Sequence, residues 1–151
     1  MIKHPTTTWI LVAHRTGAAL YQSLARGEPL QIIERWDHPE GRLKPHEVES
    51  DRPGRSFDRV GGGRHALASR ESVTDHVDHA FIQSVVEHLE RARSANAFDG
   101  LVLVALPHLL GELRQGLSEP LRMRVIASLD KDLTRLDADE LRTQLKELAS
   151  L

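Results

Sequence analysis

Trp9-Ile10-Leu11-Val12-Ala13 is an unbroken apolar run rich in β-branched and aromatic residues, and it predicts a buried strand. A turn follows at His14-Arg15-Thr16-Gly17, with Gly17 suited to a positive φ. Ala18 to Leu24 alternates, placing Ala18, Leu20 and Leu24 on one face and Tyr21 and Ser23 near the other. Arg26-Gly27-Glu28-Pro29 predicts a second turn. Leu30 to Trp36 alternates again, with Leu30, Ile32, Glu34 and Trp36 on a shared face. Turns this short imply an antiparallel three-stranded meander.

From 37 to about 73 the pattern has no usable period, and Pro39, Pro45, Pro53 and several glycines interrupt it. Loops of that length are uncommon inside a domain and are usually functional or disordered. Ser72 or Thr74 can cap the next element. From Val77, apolar residues at Ala80, Phe81, Val85, Leu89 and Ala92, widened by Ile82 and Val86, predict a helix with one buried face. It ends near Ser94 to Asn96, and Phe98-Asp99-Gly100 makes a turn. Leu101 to Leu106 is apolar without alternation, the mark of a central strand covered on both faces. Pro107 ends it.

His108 to Leu117 predicts a short helix with Leu109, Leu110, Leu113 and Leu117 inward. Ser118-Glu119-Pro120 suits a first helical turn, and Arg124 to Leu129 a strand. Asp137-Ala138-Asp139-Glu140 has capping-box form, opening a last helix with Leu141, Leu145 and Leu148 inward. The order β-β-β-loop-α-β-α-β-α implies one α/β domain over residues 1–151, a mixed sheet of about five strands with helices packed on it.

Composition narrows the chemistry. The chain has no cysteine, which excludes disulfides and thiolate metal sites and suits a reducing cytosol. Its net charge of −2 gives no global attraction to nucleic acid, so any such contact needs a local patch. The apolar runs are too short for a signal-peptide core or a membrane span. A cytoplasmic protein with no membrane contact is expected.

Local charge differs from the global balance. Between 42 and 70 stand Arg42, Lys44, Arg52, Arg55, Arg59, Arg64 and Arg70, against Glu47, Glu49, Asp51 and Asp58. Gly61-Gly62-Gly63-Arg64-His65 closes the basic stretch. Consecutive glycines pack nothing and cost backbone entropy, but they let main chain approach a ligand closely. Arg52, Arg55, Arg59 and Arg64 can neutralise phosphates there. Phe57 is the stretch's one aromatic residue, so base stacking is not favoured. The competing reading is a solvated surface loop. No cofactor motif is found, and the P-loop pattern is absent.

A second cluster is Asp75, His76, Asp78 and His79. Asp75 and His79 are four apart and His76 and His79 three apart, so Asp75, His76 and His79 can share a helix face and could ligate a metal. Acidic residues in a first helical turn are also favoured by the macrodipole alone. Asp51 could hold the guanidinium groups of Arg52 and Arg55 in place, although Asp51-Arg52-Pro53-Gly54 is also a natural turn that needs no function. Gly111 within a helix suggests close helix packing, Glu112 a surface or ion-pair residue rather than a catalytic acid, and Asp130 and Asp132 caps or solvated strand-end residues.

The chain resembles the bacterial host-attachment family, proteins required for attachment to host cells. The likeness lies in Trp9 to Ala13, His38-Pro39-Glu40-Gly41-Arg42, Ser50-Asp51-Arg52-Pro53-Gly54-Arg55-Ser56-Phe57 and the glycines at 61–63. It continues in Leu101 to Ala105, Leu110-Gly111-Glu112-Leu113-Arg114 and Asp130-Lys131-Asp132-Leu133. That family is similar to the central domain of archaeal and eukaryotic class I release factors. The resemblance implies an RNase H-like fold and a Gly-Gly-Gln loop before a long helix, entering the ribosomal peptidyl-transferase centre. Here no Gln follows the glycine pair; Gly63 or Arg64 stands there, so the role of that Gln does not carry over. Binding of ribosomal RNA or tRNA through Arg52, Arg55, Arg59, Gly61 to Gly63, Arg64 and His65 is the leading expectation. A metal-assisted hydrolase using Asp75, His76 and His79, and an attachment adaptor without catalysis, are the alternatives.

Overall fold

A computed structural model describes residues 6–38 and 79–151. Three strands, β1 (Thr8–His14), β2 (Gly17–Ser23) and β3 (Gln31–Asp37), open the chain. The described part resumes in a helix, α1 (79–94). Then come β4 (Gly100–Val104), α2 (Pro107–Gly116), α3 (Glu119–Arg122), β5 (Val125–Leu129) and α4 (Ala138–Ala149). The sheet order is β3-β2-β1-β4-β5. β1–β2 and β2–β3 pair antiparallel, as the short turns predict, and β1–β4 and β4–β5 pair parallel.

The result is a mixed five-stranded α/β sheet with helices on both faces. On one face, Leu11, Leu20 and Leu103 meet Val85, Leu89, Leu113 and Leu121 of the first three helices. On the other, Ile10, Val12, Val102 and Val104 meet Leu141 and Leu145 of α4. All five residues of β4 are buried, which explains its apolar run without alternation.

Local chemistry sets the ends of these elements. Asn96, at φ 56°, closes α1: its N–H bonds the Arg93 carbonyl and the Ala97 N–H that of Ala92. This is a Schellman ending with Asn in the glycine position. Pro107 sits in the first turn of α2. Asp137 and Glu140 form the predicted reciprocal capping box of α4. Ser150, at φ 54°, turns the chain so that Leu151 is buried against that helix's face of the sheet.

Several expectations are corrected. Gly17 does not have a positive φ; a Cβ there would lie 2.5 Å from the Trp36 carbonyl oxygen, so close strand approach selects the glycine. Leu30, Ile32 and Trp36 do not share a face. The β2–β3 register shifts between Leu20 and Tyr21, leaving Ile33 as an extra residue. The bulge moves Ile33 and Trp36 onto the α1 side, while Ile32 is exposed. Leu24 lies past β2 and is exposed, as is Ala80 on α1. Gly111 has nothing within 4 Å of a Cβ position, so it marks no close helix packing. Gly116 is the α2 glycine that faces α1, against Val86. Leu148 is exposed, and Leu151 is buried in the core on that face with Leu141 and Leu145.

Candidate functional site

The predicted phosphate-contacting residues Arg52, Arg55, Arg59, Gly61, Gly62, Gly63, Arg64 and His65 lie outside the described residues, as do Asp75 and His76. What the structure shows is where the segment carrying them is rooted. His38, the last described residue before it, stacks on Phe81 at 4.4 Å with the rings 6° apart. The His38 N–H also donates to the Thr16 carbonyl at 2.9 Å. The exit from β3 and the entry to α1 therefore meet beside the β1–β2 turn. Trp36 reinforces the junction edge-on to His88, 5.2 Å away. His79 is exposed, with Nε2 3.5 Å from the Gln83 amide nitrogen. Among the described residues no three His, Cys, Asp or Glu groups converge as a metal site would require.

A cleft of about 320 Å³ opens on the opposite face of the sheet, beside the same turn. The strand register explains its shape. His14, Gly17 and Asp37 align across β1, β2 and β3, and Val12, Ala19 and Arg35 form the next row. In these two rows the middle strand contributes only Gly17 and Ala19, which leaves a depression between larger neighbours. Leu133, Thr134 and Leu141 wall it from the α4 side, and Tyr21 lines it.

Two hydrogen-bonded pairs stiffen the rim. The Thr16 N–H donates to His14 Nδ1 at 3.3 Å, and the Thr16 hydroxyl lies 2.6 Å from the same nitrogen. Neither Arg15 nor Thr16 has the positive φ usual in two-residue hairpins, so this side-chain contact supports the turn. Asp132 accepts from the Thr134 hydroxyl and N–H. Those bonds hold its carboxyl below the ordinary carboxylate value, against the effect of burial, and His14 and Arg135 add to the lowering. Asp132 is therefore a local anchor as well as a charge facing His14. Glu112 Oε1 lies 3.0 Å from His108 Nε2, one helical turn away.

Tyr21, Arg35, Asp37 and Thr134 were not singled out by sequence pattern. The bulge at Ile33 hides the face that Arg35 and Asp37 share, and Thr134 comes to the cleft only through the β5–α4 connection. A usable signal was the small pair Gly17 and Ala19, two apart on one strand.

A family model described as "Protein required for attachment to host cells" matches residues 9–145. The chain belongs to the host-attachment family. No curated protein matches this family member. Among solved structures, it is similar to an archaeal translation termination factor, aRF1, with a TM-score of 0.56 and 12% identity over 96% of this chain and 35% of that one. A second, described as an archaeal protein, has a TM-score of 0.50 and 13% identity over 93% of this chain and 33% of that one. The host-attachment chain spans about a third of the length of these structures. At such identities the likeness is one of fold.

Proposed function

We propose that this host-attachment family protein is a binding protein whose Gly/Arg segment contacts an anionic partner, ribosomal RNA or tRNA. The observation that carries the reading is the fold shared with a translation termination factor across 96% of the chain. The local excess of cations between 42 and 70 supports it, and so does the rooting of the segment at the His38–Phe81 stack. Arg55, Arg59 and Arg64 neutralise phosphates, aided by Arg52 and His65, and Gly61 to Gly63 let the main chain approach. The missing Gln favours binding over peptide release. The cytoplasm and an RNase H-like class of sheet belong to the same reading. No helix among the described residues is long and apolar enough to cross a membrane.

Filter binding against ribosomes and tRNA tests it. Affinity is expected at low salt, with a log–log salt slope that falls by roughly 2 when Arg55, Arg59 and Arg64 are all replaced by Ala, at about 0.7 per phosphate contact. Absent affinity at low salt, or unchanged affinity in the triple variant, overturns the proposal.

A further inference from the structure

The cleft lies on the sheet face opposite the His38–Phe81 stack, and the nucleic-acid reading does not use it. Arg35 and Asp37 stand two positions apart on β3, past the bulge, and both line it. Alternate strand residues share a face, so their bases are roughly 7 Å apart. Neither makes an ion pair or side-chain hydrogen bond within the described residues. Beside them Tyr21 is only 8% exposed, and its hydroxyl has no hydrogen-bond partner within the described residues. The buried, unpartnered side-chain atoms among the described residues do not include this oxygen, so solvent reaches it from the cleft that Tyr21 lines. Arg35 and Asp37 are exposed on the edge strand β3, so a cation, an anion and a hydroxyl face one depression where a ligand would replace water as their partner.

We propose that the cleft binds a compact zwitterion, an α-amino acid with an apolar side chain. Arg35 takes the carboxylate, for which the planar guanidinium offers a two-pronged match, and Tyr21 donates to the same group. Asp37 accepts from the ammonium. Val12, Leu133 and Leu141 cover the ligand side chain. The charges of Arg35 and Asp37 cancel, which matches a ligand of no net charge. A phosphate dianion would face Asp37, and a metal cation would face Arg35. The volume lies at the small end of ligand pockets, which run from about 300 to 1,000 Å³ and suit larger molecules at the upper end. His14, fixed by Thr16, closes the end of the cleft.

The experiment is calorimetric titration of the whole chain with leucine, with isocaproate, which lacks the ammonium, and with isoamylamine, which lacks the carboxylate. Leucine is expected to saturate with a Kd below about 1 mM, and each analogue to bind about tenfold more weakly or worse. In Arg35→Ala leucine should bind no better than isoamylamine, and in Asp37→Ala no better than isocaproate. Tyr21→Phe, which preserves the packed ring, should weaken leucine by about tenfold. Arg91→Ala, on the exposed side of α1, should change nothing. The proposal is overturned if leucine, isoleucine, valine, methionine and phenylalanine all fail to bind at that level. Analogues that bind as well as leucine, or unchanged affinity in the Arg35 and Asp37 variants, overturn it equally.

Discussion

Replacing Gly17 by Ala would place a methyl group 2.5 Å from the Trp36 carbonyl oxygen. The obstacle is main chain, held by the β2–β3 pairing of Gly17 with Asp37 and Ala18 with Trp36, so no side-chain rotation relieves it. Forcing an extra methyl into a filled space costs about 1–3 kcal/mol. Removing a glycine also restricts the unfolded chain, which offsets about 0.4–1 kcal/mol. A net loss of about 1–2 kcal/mol is expected. Gly27 provides the contrast: its φ is +88°, and the nearest atom to a Cβ is Arg142 Nη2, 3.9 Å away. There the cost is conformational, about 1–2 kcal/mol for Ala, and Asn reduces it because Asn tolerates the left-handed region. Asn should therefore be as damaging as Ala at Gly17 but milder than Ala at Gly27. Urea unfolding followed by tryptophan fluorescence and circular dichroism measures both series, coincident transitions confirming two-state behaviour. A Gly17→Ala variant within about 0.5 kcal/mol of wild type would refute the close-approach argument. So would a Gly17→Asn variant more stable than Gly17→Ala.

Two further outcomes follow from the packing and the charge network. Leu145→Ala, at a fully buried position of α4, should cost about 2–5 kcal/mol in urea unfolding, whereas exposed Leu148→Ala should stay within about 0.5 kcal/mol. The Ser118 hydroxyl donates to Glu90 at 2.6 Å and is the main reason that carboxyl lies below its ordinary value, against the effect of burial and with help from Arg93. A lowered carboxyl stabilises the fold above its unfolded pKa, and that contribution is lost as pH falls through the folded value. The difference in urea midpoint between wild type and Glu90→Gln should therefore be full at pH 7 and close below about pH 4. A difference that persists unchanged into acid would exclude the ionised Glu90–Ser118 bond as its source.

The candidate sites differ in how legible they were. The Gly/Arg run stands out from composition alone, because repeated glycine and local charge need no tertiary context. The cleft could not be read that way. Arg35 and Asp37 look like ordinary polar positions on an alternating strand until one extra residue at Ile33 changes the face they occupy. Gly17 was legible as a special position but its reason was not. Positive φ and close strand approach both select glycine, and only the distance to Trp36 separates them.

The sequence by itself determined the kind and order of the elements. Runs such as Trp9 to Ala13 and Leu101 to Val104, the α1 stripe and the Asp137–Glu140 capping box depend on residues near one another in the chain. It also determined the antiparallel meander, because short turns permit little else. Tertiary structure decided the strand order β3-β2-β1-β4-β5, the bulge, and which leucine closes the α4 face. It also brought the β1–β2 turn, the end of β3 and the β5–α4 connection around one cleft. Those features depend on residues about a hundred positions apart meeting across a sheet. Local periodicity holds no information about such meetings, because the register and the closing partner are chosen by packing over the whole core.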